Sequence, residues 1–171
     1  HGLILRGIFL GRKKELYWFY QFGAHHIFPD EWEKYLEPIP EAERGDLISA
    51  YYRRLTSQNE AERRRAASAW SGWEGAALKL IFDPTIFLQF TEGYHADAIA
   101  RIECHYFMNQ CFFKTDNWLI ENVGKIRKIP AVIIQGRYDI ICPMESAWEL
   151  HKAWPEAEFE VIKDAGHAAS E

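Results

Sequence analysis

Cysteine is scarce in this sequence, and long apolar runs are missing. The three cysteines, Cys104, Cys111 and Cys142, are an odd number and form no Cys-x-x-Cys pair. Such sparse usage argues against a disulfide framework and favours reduced thiols in a cytoplasmic setting. No apolar run approaches the roughly 20 residues that a membrane-spanning helix requires, so we expect no membrane partner.

Net positive charge and metal-ligand spacing are missing as well. The formal net charge is −5, and the basic run Arg63, Arg64 and Arg65 is interleaved with Glu60 and Glu62. This pattern is typical of a solvated helix face rather than a nucleic-acid surface. The histidines show no His-Glu-x-x-His motif, and no Gly-rich phosphate loop occurs. We expect no nucleic-acid partner, no metal and no organic cofactor.

Three short apolar segments are predicted to be strands. They cover residues 2–9, 130–136 and 158–162, with breaks at Gly7 and Gly136. Short apolar runs separated by helical patterns are typical of buried parallel strands, so the sequence predicts an α/β fold. Three parallel strands make too small a sheet for a doubly wound domain, so we expect the chain to be a piece of a longer protein.

The pattern between the first and second strands is helical. Helices are predicted at residues 29–36, 40–55, 57–80, 96–113 and in a short segment after Pro84, and a further helix at residues 144–154 precedes the third strand. The positions predicted to face inward are Ala66, Trp70, Trp73 and Ala77 in one helix, and Ile99, Ile102, Tyr106 and Phe107 in another.

A long helical segment between strands of one sheet indicates a cap inserted into an α/β core. We expect a core strand in residues 1–10, a helical cap in residues 11–120, and the C-terminal part of the core in residues 121–171. The alternative is a free-standing helical domain with peripheral strands.

Two residues suited to acid–base chemistry follow successive strands. Asp139 lies on the loop after the second strand, and His167 lies on the loop after the third. The ends of parallel strands meet at one edge of a sheet, where active sites are built. An acid that orients a histidine fits general-base catalysis. The alternative is that Asp139 caps the helix near Met144 and His167 is a surface loop residue.

Two carboxylates lie on aromatic-rich faces of the predicted helices. Glu103 is one turn from Ile99 and from Phe107, and Glu74 is one turn from Trp70. A carboxylate on an apolar face costs free energy unless it is paired. Together the two acids suggest a pocket for a small cation with an apolar portion. The alternative is that both are boundary residues, with Glu74 bonded to an indole.

A nucleophile for the acid and the base is not evident. The nucleophile-elbow motif Gly-x-Ser-x-Gly does not occur. Ser71 lies within a predicted helix, and Cys142 is only three residues from Asp139, too close to serve in the same triad. The chain therefore holds two thirds of a possible catalytic triad.

With these residues in hand, the chain resembles proline iminopeptidases of the α/β-hydrolase superfamily. General α/β-hydrolases share the Asp and His loops but not the Trp-Glu or Arg-Ile-Glu segments. The resemblance covers essentially the whole chain and is carried by LRGIF at 5–9, IFPD at 27–30, PIPEAERGD at 38–46, AW at 69–70, WE at 73–74, ARIECHYF at 100–107, QGRYDIICP at 135–143 and DAGHAA at 164–169.

The resemblance implies a role for each candidate residue. Asp139 would be the triad acid and His167 the triad base. Glu74 and Glu103 would hold the free N-terminal amine of a peptide substrate. The walls of the proline-ring pocket would be Phe107, Phe9 and Phe19, although the family often has Tyr at the position of Phe19.

The resemblance also implies where the missing groups lie. In this family the oxyanion segment and the serine elbow precede the position of Leu3, so we expect this chain alone to be inactive. The implied function of the parent is a serine exopeptidase that releases N-terminal proline from peptides. The alternatives are another capped α/β-hydrolase, such as an esterase or epoxide hydrolase, and a non-enzymatic helical binding module.

Overall fold

The chain folds as a three-stranded parallel sheet with a helical segment between its first two strands. The computed structural model describes residues 1–91 and 93–169, with the backbone alone for residues 93–95, so the last two residues of the predicted C-terminal part lie outside it. The elements are β1 (Leu3–Arg6), α1 (Lys13–Tyr20), α2 (Pro29–Leu36), α3 (Leu47–Leu55), α4 (Glu60–Ala77), α5 (Pro84–Thr91), α6 (Gly93–Met108), α7 (Trp118–Asn122), β2 (Ala131–Gly136), α8 (Met144–Ala153) and β3 (Glu158–Ile162).

The sheet has the order β1-β2-β3, and both pairings are parallel. Leu3 pairs with Ala131, and Val132 pairs with Glu158. The prediction of an α/β fold with helices inserted between strands is confirmed. Because all three strands run in the same direction, their carboxyl ends lie along one edge of the sheet.

Apolar side chains form two separate clusters. One packs the sheet against the helices that flank it, with Ile133 and Trp154 fully buried. The other lies within the helical segment, where Tyr35, Trp70 and Trp73 are fully buried. Its rings stack closely, as in the pair of Tyr35 and Tyr51 with centroids 4.7 Å apart. The division at residues 10 and 120 stays a prediction.

Local capping sets helix boundaries that differ from those predicted. Helix α3 begins at Leu47 rather than near Pro40, because Asp46 caps it by accepting a hydrogen bond from the Ser49 N–H at 3.1 Å. Residues Glu41–Glu43 form only a 3₁₀ turn. In the same way, Asn59 caps α4 by accepting hydrogen bonds from two backbone N–H groups.

The end of α6 also departs from the prediction. The helix stops at Met108, because Gln110, Cys111 and Phe112 follow with φ angles of 51°, 51° and 59°. This left-handed turn packs against Gly11, on the segment that leads from β1 into α1. A Cβ on Gly11 would lie 3.0 Å from the Cys111 Sγ. Residues 11 and 111, which lie near the two ends of the helical segment, are therefore close together.

The inward face predicted for α6 was wrong at two positions. Ile102 is 59% exposed and Tyr106 is 49% exposed. The buried positions of the described part of the helix are small instead: Ala96, Ala100 and Cys104. Small side chains let α6 approach α3 and α4 closely, as the 3.5 Å contact between the Cys104 Sγ and the Ile48 carbonyl oxygen illustrates.

The three cysteines are all free thiols. Among the helices that the structure describes, none combines the length and apolar character that crossing a bilayer would require.

Gly136, at the end of β2, supports the close approach of the loop that follows β3. A Cβ at this position would lie 2.0 Å from the Gly166 carbonyl oxygen. We expect Gly136→Ala to lower the free energy of unfolding by about 3 kcal/mol, the upper end for overpacking, because the obstructing atom is backbone. Thermal or urea unfolding of the protein that carries this chain measures the change.

Gly124→Ala is the matched control, because no atom lies within 4 Å of a Cβ built there. Equal stability of the two variants would show that the two loops do not pack as described.

Candidate active site

Asp139 and His167 contact each other at the edge of the sheet where β2 and β3 end. The His167 Nδ1 lies 3.1 Å and 3.0 Å from the two carboxylate oxygens of Asp139. The Asp139 side chain is fully buried, whereas that of His167 is 25% exposed. Since a carboxylate only accepts, Nδ1 carries the hydrogen and Nε2 is left as the acceptor. This is the tautomer that a general base requires.

Backbone hydrogen bonds hold the two loops together. The Arg137 N–H donates to the Ile162 carbonyl at 2.9 Å, and the Tyr138 N–H donates to the Ala165 carbonyl at 3.0 Å. The Ala168 N–H donates to the Leu78 carbonyl at 2.9 Å, which ties the histidine loop to the residue after α4. The position of His167 is therefore fixed by contacts to β2, β3 and the helical segment.

A cavity of about 370 Å³ opens beside His167, under the helices. All five residues predicted to bind substrate line it: Phe9, Phe19, Glu74, Glu103 and Phe107. Its aromatic walls touch one another, with the rings of Phe9 and Phe107 centred 5.7 Å apart. The structure thus brings the predicted acid–base pair and the predicted recognition residues to one site. Their roles in binding and catalysis stay predictions.

Tyr20 and Trp70 donate hydrogen bonds to the two cavity carboxyls. The Tyr20 hydroxyl donates to the Glu74 Oε1 at 2.5 Å, and the Trp70 Nε1–H donates to the Glu103 Oε2 at 3.2 Å. Each carboxyl therefore has a neutral donor. In the part of the chain that the structure describes, no Arg or Lys forms an ion pair with either of them.

The two carboxyls are close enough to share a hydrogen bond. Burial raises the pKa of Glu74 well above its ordinary value, and the charge on Glu103 raises it further. Burial also raises the pKa of Glu103. Two carboxylates side by side cannot both ionise readily, and burial together with the neighbouring charge favours the protonated form of Glu74. A cation entering the cavity would find one carboxylate ready to receive it.

Tyr20, Cys142 and Gln135 were not predicted to belong to the site. Tyr20 and Cys142 line the cavity, and Gln135 contacts Asp139. Tyr20 lies on α1, a helix that the apolar spacing did not predict. Gln135 carried a usable signal, because it is a polar residue near the end of an otherwise apolar strand. No cluster of three His, Cys, Asp or Glu side chains suited to a metal ion occurs among the residues that the structure describes.

The comparisons with known proteins agree with this geometry. An acid and a histidine on the loops after two adjoining parallel strands are compatible with an α/β hydrolase. Residues 23–171 match the family described as the alpha/beta hydrolase fold, and the chain belongs to this family.

The chain is also similar to individual proteins of this family. The chain is 61% identical over 170 residues to a probable proline iminopeptidase of Leptolyngbya boryana, which covers 99% of this chain and 53% of the relative. It is 52% identical over 171 residues to a proline iminopeptidase of Xanthomonas citri, covering 100% of this chain and 55% of that protein. A proline iminopeptidase of Arabidopsis thaliana is 51% identical over 171 residues, with 99% and 45% covered.

These comparisons confirm the resemblance to proline iminopeptidases that was read from the sequence. The chain spans about half the length of the curated relatives it matches.

The raised pKa of Glu74 predicts how stability depends on pH. Above the ordinary pKa of a glutamate the unfolded chain releases its proton while the folded chain keeps it, so stability is lost as pH rises through this range. Glu74→Gln removes this loss and keeps an acceptor for Tyr20. We expect the variant to gain on the wild type by up to about 1.4 kcal/mol per pH unit above pH 4.5, and not below it.

Thermal unfolding at pH 4 to 8 measures the difference, with the exposed Glu33→Gln as control. A difference between the wild type and Glu74→Gln that is constant with pH would contradict a buried, protonated Glu74.

Proposed function

We propose that this chain supplies the acid, the base and the substrate-recognition pocket of a serine exopeptidase that releases N-terminal proline from peptides. The observation that carries the proposal is the carboxyl pair of Glu74 and Glu103, which faces the same cavity as His167. The names of the most similar relatives support the same activity.

Recognition of proline follows from the shape and charge of the cavity. The N-terminal proline of a peptide is a secondary ammonium attached to an apolar ring. Glu74 and Glu103 would receive the ammonium through charge-assisted hydrogen bonds, and the walls at Phe9, Phe19 and Phe107 would hold the ring. Binding of the cation would expel the shared proton, because a positive charge favours ionisation of both carboxyls.

Cleavage would use the acid and the base in their usual roles. The Nε2 of His167 would take the proton from a serine Oγ as that oxygen attacks the carbonyl carbon of proline. Asp139 would hold the imidazole and stabilise the imidazolium that forms. The imidazolium would then give the proton to the departing amine, and a water molecule would release proline by the same steps.

The proposal places the serine and the oxyanion donors outside the 171 residues, since the sequence has no nucleophile elbow. The chain alone is therefore not expected to hydrolyse peptides. The three free thiols support a cytoplasmic setting for the parent.

Glu103→Gln and Glu74→Gln test the recognition step in the whole protein that carries this chain. A charge-assisted hydrogen bond contributes about 1.5–3 kcal/mol, so we expect each variant to lose at least about tenfold in kcat/KM on a proline arylamide. Glu33→Gln, an exposed change of the same kind, is the control.

The rival functions give different results in this experiment. An esterase or epoxide hydrolase has no use for an amine-binding carboxyl pair, so both variants would keep nearly full activity on its substrate. A non-enzymatic binding module would show no hydrolysis in the wild type. Cleavage of N-acetylated proline substrates as fast as free ones would also count against the proposal, because the acetyl group removes the cation.

A further inference from the structure

The amide of Gln135 is fully buried and makes three hydrogen bonds around Asp139. Its Nε2 donates to the Asp139 Oδ2 at 2.7 Å and to the Cys142 carbonyl at 2.9 Å. Its Oε1 accepts from the Ile8 N–H at 3.0 Å. Both hydrogens of the amide nitrogen and one lone pair of its oxygen are thus used.

The chemistry of these partners allows only one orientation of the amide. Two acceptors surround the nitrogen, and a backbone donor faces the oxygen. If the amide rotated by half a turn, its oxygen would face a carboxylate and a carbonyl, and the Ile8 N–H would lose its acceptor. A buried donor or acceptor left without a partner costs about 1–3 kcal/mol, so the orientation is fixed.

The Asp139 carboxylate has one fixed donor on each oxygen. The Cys142 N–H donates to Oδ1 at 2.8 Å, and Gln135 donates to Oδ2. These two bonds set the plane of the carboxylate, and His167 approaches both oxygens at nearly equal distances. The backbone donor is common to every residue at position 142 except proline. Gln135 is therefore the side chain through which the orientation of Asp139 is controlled.

We propose that Gln135 is a positioning residue, which holds the Asp139 carboxylate in the plane that His167 needs and links it to the cavity wall. The link runs through the Ile8 N–H, next to Phe9 in sequence, so one amide joins the acid to the wall of the pocket. This inference rests on the proposed function only in assuming that His167 acts as a base on a serine.

Among the described residues, the ionisable side chain that this amide bonds is Asp139, whose carboxylate also contacts His167. The amide also bonds the carbonyl of Cys142, a residue whose thiol feels the charges of Asp139, Glu15 and Glu74. On the loop after β1 the amide contacts the Ile8 backbone, and on β3 its pairing partner is Val161. A change in the charge of residue 135 therefore acts chiefly on the acid–base pair.

Two substitutions of similar length separate positioning from packing. Gln135→Met fills the space but donates nothing to Asp139. Gln135→Glu keeps an acceptor for Ile8, and its second oxygen faces two acceptors, so only its protonated form can donate to Asp139. The carboxylate of Asp139 favours that protonated form, most strongly at low pH.

The experiment measures kcat/KM of the whole protein on a proline arylamide, together with the rate at which a fluorophosphonate labels the serine. We expect Gln135→Met to lose at least about tenfold in both, since a hydrogen bond to a charged group is removed. At pH 6 we expect Gln135→Glu to be several-fold more active than Gln135→Met. Gln58→Glu, at an exposed position, controls for added charge.

If Gln135 served only to pack the protein, the activities of the two variants would not differ in this way. A smaller loss in Gln135→Met, or equal loss in both variants at pH 6, would overturn the inference. Unfolding curves establish that each variant is folded. If Gln135→Met does not fold, Gln135→Asn replaces it in the same comparison, because its shorter amide cannot reach Asp139.

The two readouts keep this inference apart from the proposed function. Labelling by the fluorophosphonate requires an activated serine but no proline. A wild type that is labelled and does not cleave proline substrates would refute the exopeptidase, while the order of the variants in labelling would still decide the role of Gln135. A wild type that cleaves proline substrates, with variants that do not differ from it, would refute only the role of Gln135.

Discussion

Parallel pairing of β2 with both β1 and β3 brings three strand ends to one edge of the sheet. Asp139 follows β2, His167 follows β3, and the loop after β1 carries Phe9. Parallel pairing fixes this common direction, and a connection that reversed any strand would send one of these loops to the opposite edge. The contact between acid and base, and the position of the cavity wall, both depend on it.

The helical segment buries two carboxyl groups, which lowers the stability of the fold. Glu74 and Glu103 lie among Tyr20, Trp70 and Phe107, where burial disfavours charge. Hydrogen bonds from Tyr20 and Trp70, and protonation of Glu74, reduce the free-energy cost of this burial without removing it. Among the described residues neither acid forms an ion pair with Arg or Lys, and acids with pKa values perturbed by burial are common at functional sites.

The sequence predicted the parts of this structure that depend on local pattern. Strands β2 and β3 and helices α2 and α8 lie within one residue of their predicted bounds, because apolar runs and Pro or Gly breaks mark them directly. Strand β1 ends at Arg6, three residues before the end of its predicted segment. Helix α1 was not predicted, since it holds four consecutive aromatic residues, which favour strands. Its start is capped locally. Glu15 accepts hydrogen bonds from the backbone N–H groups of Leu10 and Arg12.

The residues that line the candidate site could be named from the sequence, but the hydrogen bonds that hold them could not. Spacing on a helix indicates which acids lie on an apolar face, so Glu74 and Glu103 could be found. The partners that control them, Tyr20 for Glu74 and Gln135 for Asp139, come from other elements, and only the folded chain brings them into contact. The same limit applies to Ile102 and Tyr106, which are exposed although their spacing predicted burial. The face of α6 that packs against α3 and α4 consists of small residues, and apolar spacing alone does not indicate which face contacts a neighbouring helix.

The left-handed turn at Gln110, Cys111 and Phe112 lies against Gly11. The two ends of the helical segment between them are therefore close together, so the segment forms a closed loop. The free energy of closing such a loop grows only slowly with its length. A change in the length of the segment would therefore alter this closure cost little. What such a change must preserve are the contacts that tie the segment to the loops of the sheet, such as the hydrogen bond from the Ala168 N–H to the Leu78 carbonyl.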